Sequence, residues 1–455
     1  MLFLKILKDA YTHSPSWAKV LLASVPPSLI LGRQYRSHLK FLESSDSWPT
    51  ERLLEYQRQR LFEIAEFAAN TVPYYRELFR ELRLPARLSS MEQFLSIPPI
   101  DKETIRRQGE KMLSEAVPAR SRYKVTTGGT TGVPLGFWMS SDAYAREWAF
   151  VHNLLARYGI VPSDRKIGLR GVSFNQSKRG RFTQINPIYR ELQVSPFHLT
   201  ESIVTQILPE IEYFKPGYIH GYPSSITLFA KVALQGGWGM RLKLKGVLAI
   251  SETLYPHQHE LIEKAFGCPV FTFYGHSERL IFAGTAPHAE GLLVDPRYGL
   301  AETIDGELIG TGFLNRAQPL LRYRTGDHAR LSKGPAESHG VLAFPRLTEV
   351  QGRWRQEMLI GKNGALISVT ALNMHSEIFT NVERFQFYQD APGRAELRIV
   401  VSGNFQKEND ERRIYQAFSN KVGEELDIAI RTVDQIELTP RGKQMFLIQK
   451  LKTSI

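Results

Sequence analysis

Apolar positions recur at helical spacing in the first hundred residues and at strand spacing in the middle of the chain. Between Glu51 and Asn70, the residues Leu53, Leu54, Leu61, Ile64, Ala65 and Ala68 fall on one broad face. That spacing predicts an amphipathic helix, with Pro49-Thr50 as its N-terminal cap. Pro73 ends it, and Tyr74-Tyr75-Arg76 opens a second helix; beyond Ile97-Pro98-Pro99-Ile100 a basic helix is predicted over Asp101 to Gln108. Further on, short apolar runs at Lys166 to Leu169, Gly217 to His220, Gly246 to Ile250 and Val270 to Tyr274 alternate with helical stretches. Ser224 to Leu234 and Pro256 to Phe266 are two of these. The alternation predicts α/β architecture with substantial parallel sheet.

From about Gly352 the texture changes. Phe385 to Gln389 and Ala395 to Val401 read as strands either side of a Pro392-Gly393 turn, followed by a polar helix, Glu408 to Val422, and a strand, Asp427 to Val433. The pattern predicts a domain over 1–350, with a helical N-terminal segment to about 120, and a separate α+β domain over 351–455.

Composition narrows the class. The chain has 455 residues, 42% hydrophobic and 23% charged, which suits a folded protein with a large core. Its net charge of +12 fits a nucleic-acid partner, a polyphosphate cofactor or an anionic membrane surface. No block of five or six like charges occurs, and the aromatics follow strand and helix periodicity rather than a basic stripe. The expectation is therefore no nucleic acid. The single cysteine, Cys268, rules out an intrachain disulfide and any Cys-rich metal site. The longest apolar run, Val20 to Leu31, is broken by Pro26-Pro27 and too short to span a bilayer. A cytoplasmic protein is expected, with a packed N-terminal helix and at most peripheral membrane contact through Lys5, Lys8 and Lys19.

Chemistry concentrates in one stretch, Thr126-Thr127-Gly128-Gly129-Thr130-Thr131-Gly132-Val133-Pro134. Glycines let a backbone approach an anion closely, and N–H groups with threonine hydroxyls donate to phosphate oxygens. It is not a Walker loop, and Gly310-Thr311-Gly312 lacks the third glycine of a dinucleotide fingerprint. Alone, the loop is equally an ordinary turn. Three further stretches follow in order. Tyr274-Gly275-His276-Ser277-Glu278 closes an apolar strand with a carboxylate; Leu321-Arg322-Tyr323-Arg324-Thr325-Gly326-Asp327 places an acid after a tight turn; Thr439-Pro440-Arg441-Gly442-Lys443 lifts a lysine on a loop near the C-terminus.

In this order and at these distances, the four stretches resemble the adenylate-forming superfamily of acyl-CoA synthetases, in particular its phenylacetate–CoA ligase and CapK-like branch. Val72-Pro73-Tyr74-Tyr75-Arg76, Gly221-Tyr222-Pro223-Ser224-Ser225 and Ser251-Glu252-Thr253 support it, so the resemblance runs from about residue 30 to 450. It implies a large N-terminal adenylate-forming domain with mixed sheets and a small mobile α+β C-terminal domain. It further implies that Thr127, Gly128, Gly129, Thr130, Thr131 and Gly132 hold the β- and γ-phosphates of ATP. Ser251, Glu252 and Thr253, with Tyr274 and Gly275, would line the adenine site. Glu278 would bind Mg²⁺ and Asp327 would accept from the ribose hydroxyls; an acceptor-only carboxylate matches a diol. Lys443 would stabilise the charge that develops as a carboxylate attacks the α-phosphate; the plain alternative is a solvated lysine in a tail that also holds Lys450 and Lys452. Tyr222 and His276 would line the substrate pocket.

Departures from the pattern mark what transfers less directly. The hinge, Gly352-Arg353-Trp354-Arg355-Gln356-Glu357, has one residue more than the family's and a single acid, so Gln356 or Glu357 would be the pivot beside Arg353. Gly284-Thr285-Ala286-Pro287-His288 offers no cysteine where relatives carry a zinc site, and no zinc is expected. His257 and His259, two apart on one helix, face different ways. The function implied is ATP- and Mg²⁺-dependent activation of a small carboxylic acid, followed by transfer to an acceptor, usually coenzyme A. Two alternatives stand beside it: acylation or amidation of a sugar in surface-polysaccharide synthesis without coenzyme A, and a nucleotide-binding assembly subunit without turnover. Monomer and homodimer are both open.

Overall fold

The computed structural model describes residues 30–127, 135–171, 182–187, 189–287, 290–332, 344–351, 357–372, 379, 381–437 and 446–451. In chain order the helices are α1 (Gly32–Ser45), α2 (Thr50–Thr71), α3 (Pro73–Glu81), α4 (Met91–Leu95), α5 (Lys102–Gln108), α6 (Ala143–Ala156), α7 (Glu201–Phe214), α8 (Pro223–Gln235), α9 (Pro256–Phe266) and α10 (Lys407–Val422). The strands begin with β1 (Arg122–Thr127), β2 (Leu135–Ser140), β3 (Lys166–Leu169), β4 (Thr183–Asn186), β5 (Glu191–Val194), β6 (Tyr218–Gly221) and β7 (Gly246–Ala249). They continue with β8 (Val270–Tyr274), β9 (Ala283–Gly284), β10 (Leu292–Val294), β11 (Gly299–Ile304), β12 (Glu307–Gly312), β13 (Tyr323–Leu331) and β14 (Arg346–Gln351). Last come β15 (Met358–Ile360), β16 (Leu366–Ser368), β17 (Val382–Ala391), β18 (Arg394–Val401), β19 (Asp427–Thr432) and β20 (Leu447–Gln449).

The chain divides into two compact units, one of Met1–Val125, Gly136–Pro162 and Phe271–Arg353, the other of Thr126–Leu135, Ser163–Val270 and Trp354–Ile455. In the first, strands run in the order β11-β12-β13-β14-β10-β9-β8, each antiparallel to its neighbours. Helix α2 buries Leu53, Leu61, Ile64, Ala65, Ala68 and Ala69. Leu54, expected on that face, is 42% exposed, and Thr50 is the first helical residue, behind a Pro49 cap that makes no side-chain bond. Proline has no side-chain acceptor to offer, so the start is set by its backbone rather than by a capping hydroxyl.

The second unit holds β7-β6-β3-β5 as parallel strands with β4 antiparallel at the edge. Helices α7, α8 and α9 cover one face with Ile167, Leu169, Leu192, Val194, Ile219, Val247, Phe229 and Ile262 in a single apolar cluster. Helix α7 starts on Thr200, whose hydroxyl oxygen accepts from the Ile203 N–H, as in the first unit α5 starts on Asp101, whose carboxylate accepts from the Thr104 N–H. The C-terminal part of this unit orders its strands β19-β18-β17-β20, with β17 and β18 as the hairpin and β19 and β20 parallel to them. Helix α10 closes its core with Ile414, Phe418 and Val422.

Candidate active site

In the first unit, β13 presents alternate residues inward. Tyr323, Thr325 and Asp327 are buried, while Gly326 and His328 are exposed. Strand β8 ends at Tyr274, whose phenol donates to Oδ2 of Asp327 across 2.9 Å. Four residues on from Tyr274, Glu278 is 4% exposed and its Oε1 accepts from the Tyr323 phenol at 3.1 Å. Two tyrosines and two acids, each pair four residues apart in its own segment, therefore cross-brace β13 and the turn after β8. Each carboxylate has a second oxygen and further lone pairs beyond the one its tyrosine engages.

Asp327 does not follow a tight turn, as the sequence suggested; it lies within β13. A bulge there lets Gly326, at φ +75, donate its N–H to Glu307 Oε1 at 2.9 Å, while the Asp327 N–H turns to Thr325 Oγ1 at 3.1 Å. Only glycine takes that φ without strain. His276, between Tyr274 and Glu278 in sequence, is half-buried with its ring 5.7 Å from that of Tyr274. Gly275 is exposed at the strand end.

A charged cluster beside Glu278 carries no sequence motif. Arg279 pairs with Glu147 of α6 and donates to the Tyr123 hydroxyl at 3.1 Å, and the Tyr298 phenol donates to Glu147 at 3.3 Å. Burial pushes the guanidinium down, but the Glu147 carboxylate more than offsets this and holds it above its usual range. The pair is joined across 132 positions of sequence, and no local spacing could reveal it.

In the second unit, Ser251 adopts φ +67 and Glu252 turns inward, 8% exposed. Oε2 of Glu252 accepts from the Ser224 N–H at the start of α8, and Oε1 accepts from Ser368 at 2.7 Å. Thr253 is half-buried, and Tyr222 packs against the core of the C-terminal strands. On the sheet face away from the apolar cluster, Lys166, Glu191, Tyr218 and His220 stand buried in adjacent positions of β3, β5 and β6, and Arg170 pairs with Glu191 at 2.7 Å. Burial, then Glu191 and Arg170 in opposition, leave the Lys166 ammonium at about 8. Thr127 ends β1. Gly128, Gly129, Thr130, Thr131, Gly132, Arg353, Gln356 and Lys443 lie outside the described residues; Glu357 is within them, its carbonyl accepting from the Val369 N–H at 2.9 Å.

Among the described residues no three His, Cys, Asp or Glu side chains gather to hold a metal by themselves. A Mg²⁺ that arrives with ATP asks for less, one or two carboxylates beside the nucleotide phosphates. Glu278 fits that requirement.

Residues 359–450 match the CapK C-terminal domain. The chain is 24% identical over 455 residues to Protein CapK of Staphylococcus aureus, covering 98% of this chain and all of that one. It is 24% identical to indoleacetate–lysine synthetase of Pseudomonas savastanoi (78% of this chain, 90% of the relative) and 26% identical to phenylacetate–coenzyme A ligase of Pseudomonas putida (70% and 74%). In fold it matches 2-hydroxyisobutyryl-CoA ligase in complex with 2-HIB-AMP and CoA, with TM-score 0.56 at 20% identity over 89% of this chain and 91% of that one. The chain is thus related to the AMP-forming ligases, the adenylate-forming enzymes. More narrowly, it is related to CapK and to the phenylacetate–CoA ligases. No helix of the described residues is long and apolar enough to cross a membrane.

Proposed function

We propose that this protein uses ATP to activate a small carboxylic acid as its acyl-adenylate and passes the acyl group to the thiol of coenzyme A. The observation that carries this reading is the bracing of two acceptor-only carboxylates, Asp327 and Glu278, by Tyr274 and Tyr323. Asp327 accepts from the ribose hydroxyls, since a carboxylate matches a vicinal diol and Tyr274 fixes its plane. Glu278 holds the Mg²⁺, which shields phosphate charge and eases departure of pyrophosphate. Thr127 to Gly132 donate to the β- and γ-phosphates, and Ser251 to Thr253 with Tyr274 and Gly275 border the adenine. Lys443 supplies the cation that offsets the charge developing as the acid attacks the α-phosphate. Tyr222 and His276 face the acid, and rotation about Arg353, Gln356 and Glu357 carries Lys443 to and from the reaction.

A second reading keeps the first half-reaction and changes the acceptor to an amine or hydroxyl, including that of a sugar. One relative favours it, a synthetase whose name joins indoleacetate to lysine. Carboxylate-dependent ATP–pyrophosphate exchange over aryl, fatty, hydroxy and amino acids tests the shared step; no exchange with any acid overturns both readings. With the active acid in hand, thioester formation with coenzyme A against ester or amide formation with amines and sugars decides between them.

A further inference from the structure

Arg279 is charged, half-buried and held in a backbone conformation that side-chain-bearing residues avoid. Its φ is +56, and its N–H closes the turn onto the His276 carbonyl at 3.0 Å. Its side chain and that of Glu147 are 12% and 22% exposed. An ion pair held largely out of water is seldom the most stable filling for such a space; apolar residues of similar size serve as well or better. The segment that follows is pressed onto β11 and β12 at three glycines. A Cβ on Gly299 would lie 2.1 Å from the Leu280 carbonyl oxygen, one on Gly310 2.7 Å from Leu280 Cβ, and one on Gly312 2.5 Å from the Arg279 carbonyl oxygen. The pair Gly310 and Gly312, which makes no dinucleotide fingerprint, is the bed on which this segment lies.

The backbone after Glu278 is thus fixed from one side by close packing and from the other by an ion pair with two tyrosine hydroxyls around it. Glu278 itself, one residue before, is braced only by the Tyr323 phenol among the hydrogen bonds described above. We propose that Arg279 and Glu147 are positioning residues, whose ion pair locks the turn so that Glu278 meets the divalent cation of ATP in a preset orientation. A carboxylate held this way loses less conformational freedom when it binds a metal. The inference rests on the reading that Glu278 meets that metal.

The test is Mn²⁺ titration by electron paramagnetic resonance in the presence of β,γ-methylene ATP, paired with hydrogen exchange of the 276–281 amides in the metal-free protein. Glu147→Gln is expected to weaken Mn²⁺ binding about tenfold, within the range for residues that orient metal ligands. Exchange in the turn should quicken, while affinity for the analogue without metal stays within about twofold of the wild type. Arg279→Lys, which keeps the charge and loses the fork, should fall between. Tyr298→Phe leaves the pair in place, removes one anchor of Glu147, and should shift both readouts in the same direction if Glu147→Gln does not fold. Folded variants with unchanged Mn²⁺ affinity and unchanged exchange overturn the proposal. Glu278→Gln separates the causes: if it leaves Mn²⁺ binding intact, the metal reading falls and the inference with it. If it abolishes binding while Glu147→Gln does not weaken it, only the inference falls.

Discussion

Ser368 donates a 2.7 Å hydrogen bond to Glu252, which lies 116 positions earlier and whose other carboxylate oxygen accepts from the Ser224 N–H at 3.0 Å. One buried carboxylate therefore caps α8 and ties the C-terminal strands to the parallel sheet. Nearby, Gly171 passes Ala371 so closely that a Cβ would sit 2.0 Å from its carbonyl oxygen, and Phe197 is buried in the C-terminal apolar cluster. Any swing of the C-terminal part away from this sheet must break these contacts. Ser368→Ala removes one hydrogen bond to a charged group, about 1.5 kcal/mol, and should speed exchange of the β15 and β16 amides about tenfold. Unchanged exchange there would show that the bond holds nothing in place.

Tyr274 and Asp327 predict nucleotide discrimination. Asp327→Asn keeps the shape of the side chain and loses its acceptor-only character. The wild type should bind ATP more tightly than 2′-deoxy-ATP, and Asp327→Asn should narrow that ratio to near unity. Tyr274→Phe should lower ATP affinity about tenfold, the equivalent of one hydrogen bond to a charged group. Calorimetric titration measures all three; equal preference in wild type and Asp327→Asn would detach Asp327 from the ribose.

His38 on α1 predicts a pH dependence. Burial, with Arg146, Arg297 and Arg60 adding and Asp295 opposing, lowers its ring from 6.5 to about 4. The folded state therefore binds this proton less readily than the unfolded chain. Between pH 6.5 and 4 the unfolded chain takes up the proton first, so stability is lost as pH falls through that window. The loss from this group is at most about 3 kcal/mol. His38→Gln should be destabilised less by acid than the wild type over the same window, by urea denaturation; parallel curves would mean the ring is solvated.

Much of the fold was legible because its signals are local. Lys166–Leu169, Val270–Tyr274 and Pro256–Phe266 have the bounds that periodicity and flanking residues suggest. The acids Glu278 and Asp327 were legible as motif residues, but their bracing was not, since it needs β13 to lie beside the turn after β8. Asp327 was misplaced because a bulge and a turn share the same Thr-Gly-Asp chemistry. Leu54 misled because a helix face read from spacing is broader than the face that packs. Arg279–Glu147 and Ser368–Glu252 pair residues more than a hundred positions apart, and a single sequence holds no trace of either.

Lys443 carries the sharpest prediction, because it divides the two chemical steps. Attack of a carboxylate on the α-phosphate brings two anions together, and an ammonium placed there stabilises the charge that develops. Lys443→Ala should therefore lower pyrophosphate exchange by two or more orders of magnitude, since about 3–4 kcal/mol of lost stabilisation corresponds to that factor. ATP affinity should change little if, as proposed, Asp327, Glu278 and the threonine loop hold the ground state. The same variant, given a chemically prepared acyl-adenylate, should still transfer the acyl group if the proposed rotation of the C-terminal part removes the lysine before that step. Equal impairment of both half-reactions would assign Lys443 a shared binding role. Full exchange activity would leave it a solvated lysine of the C-terminal tail.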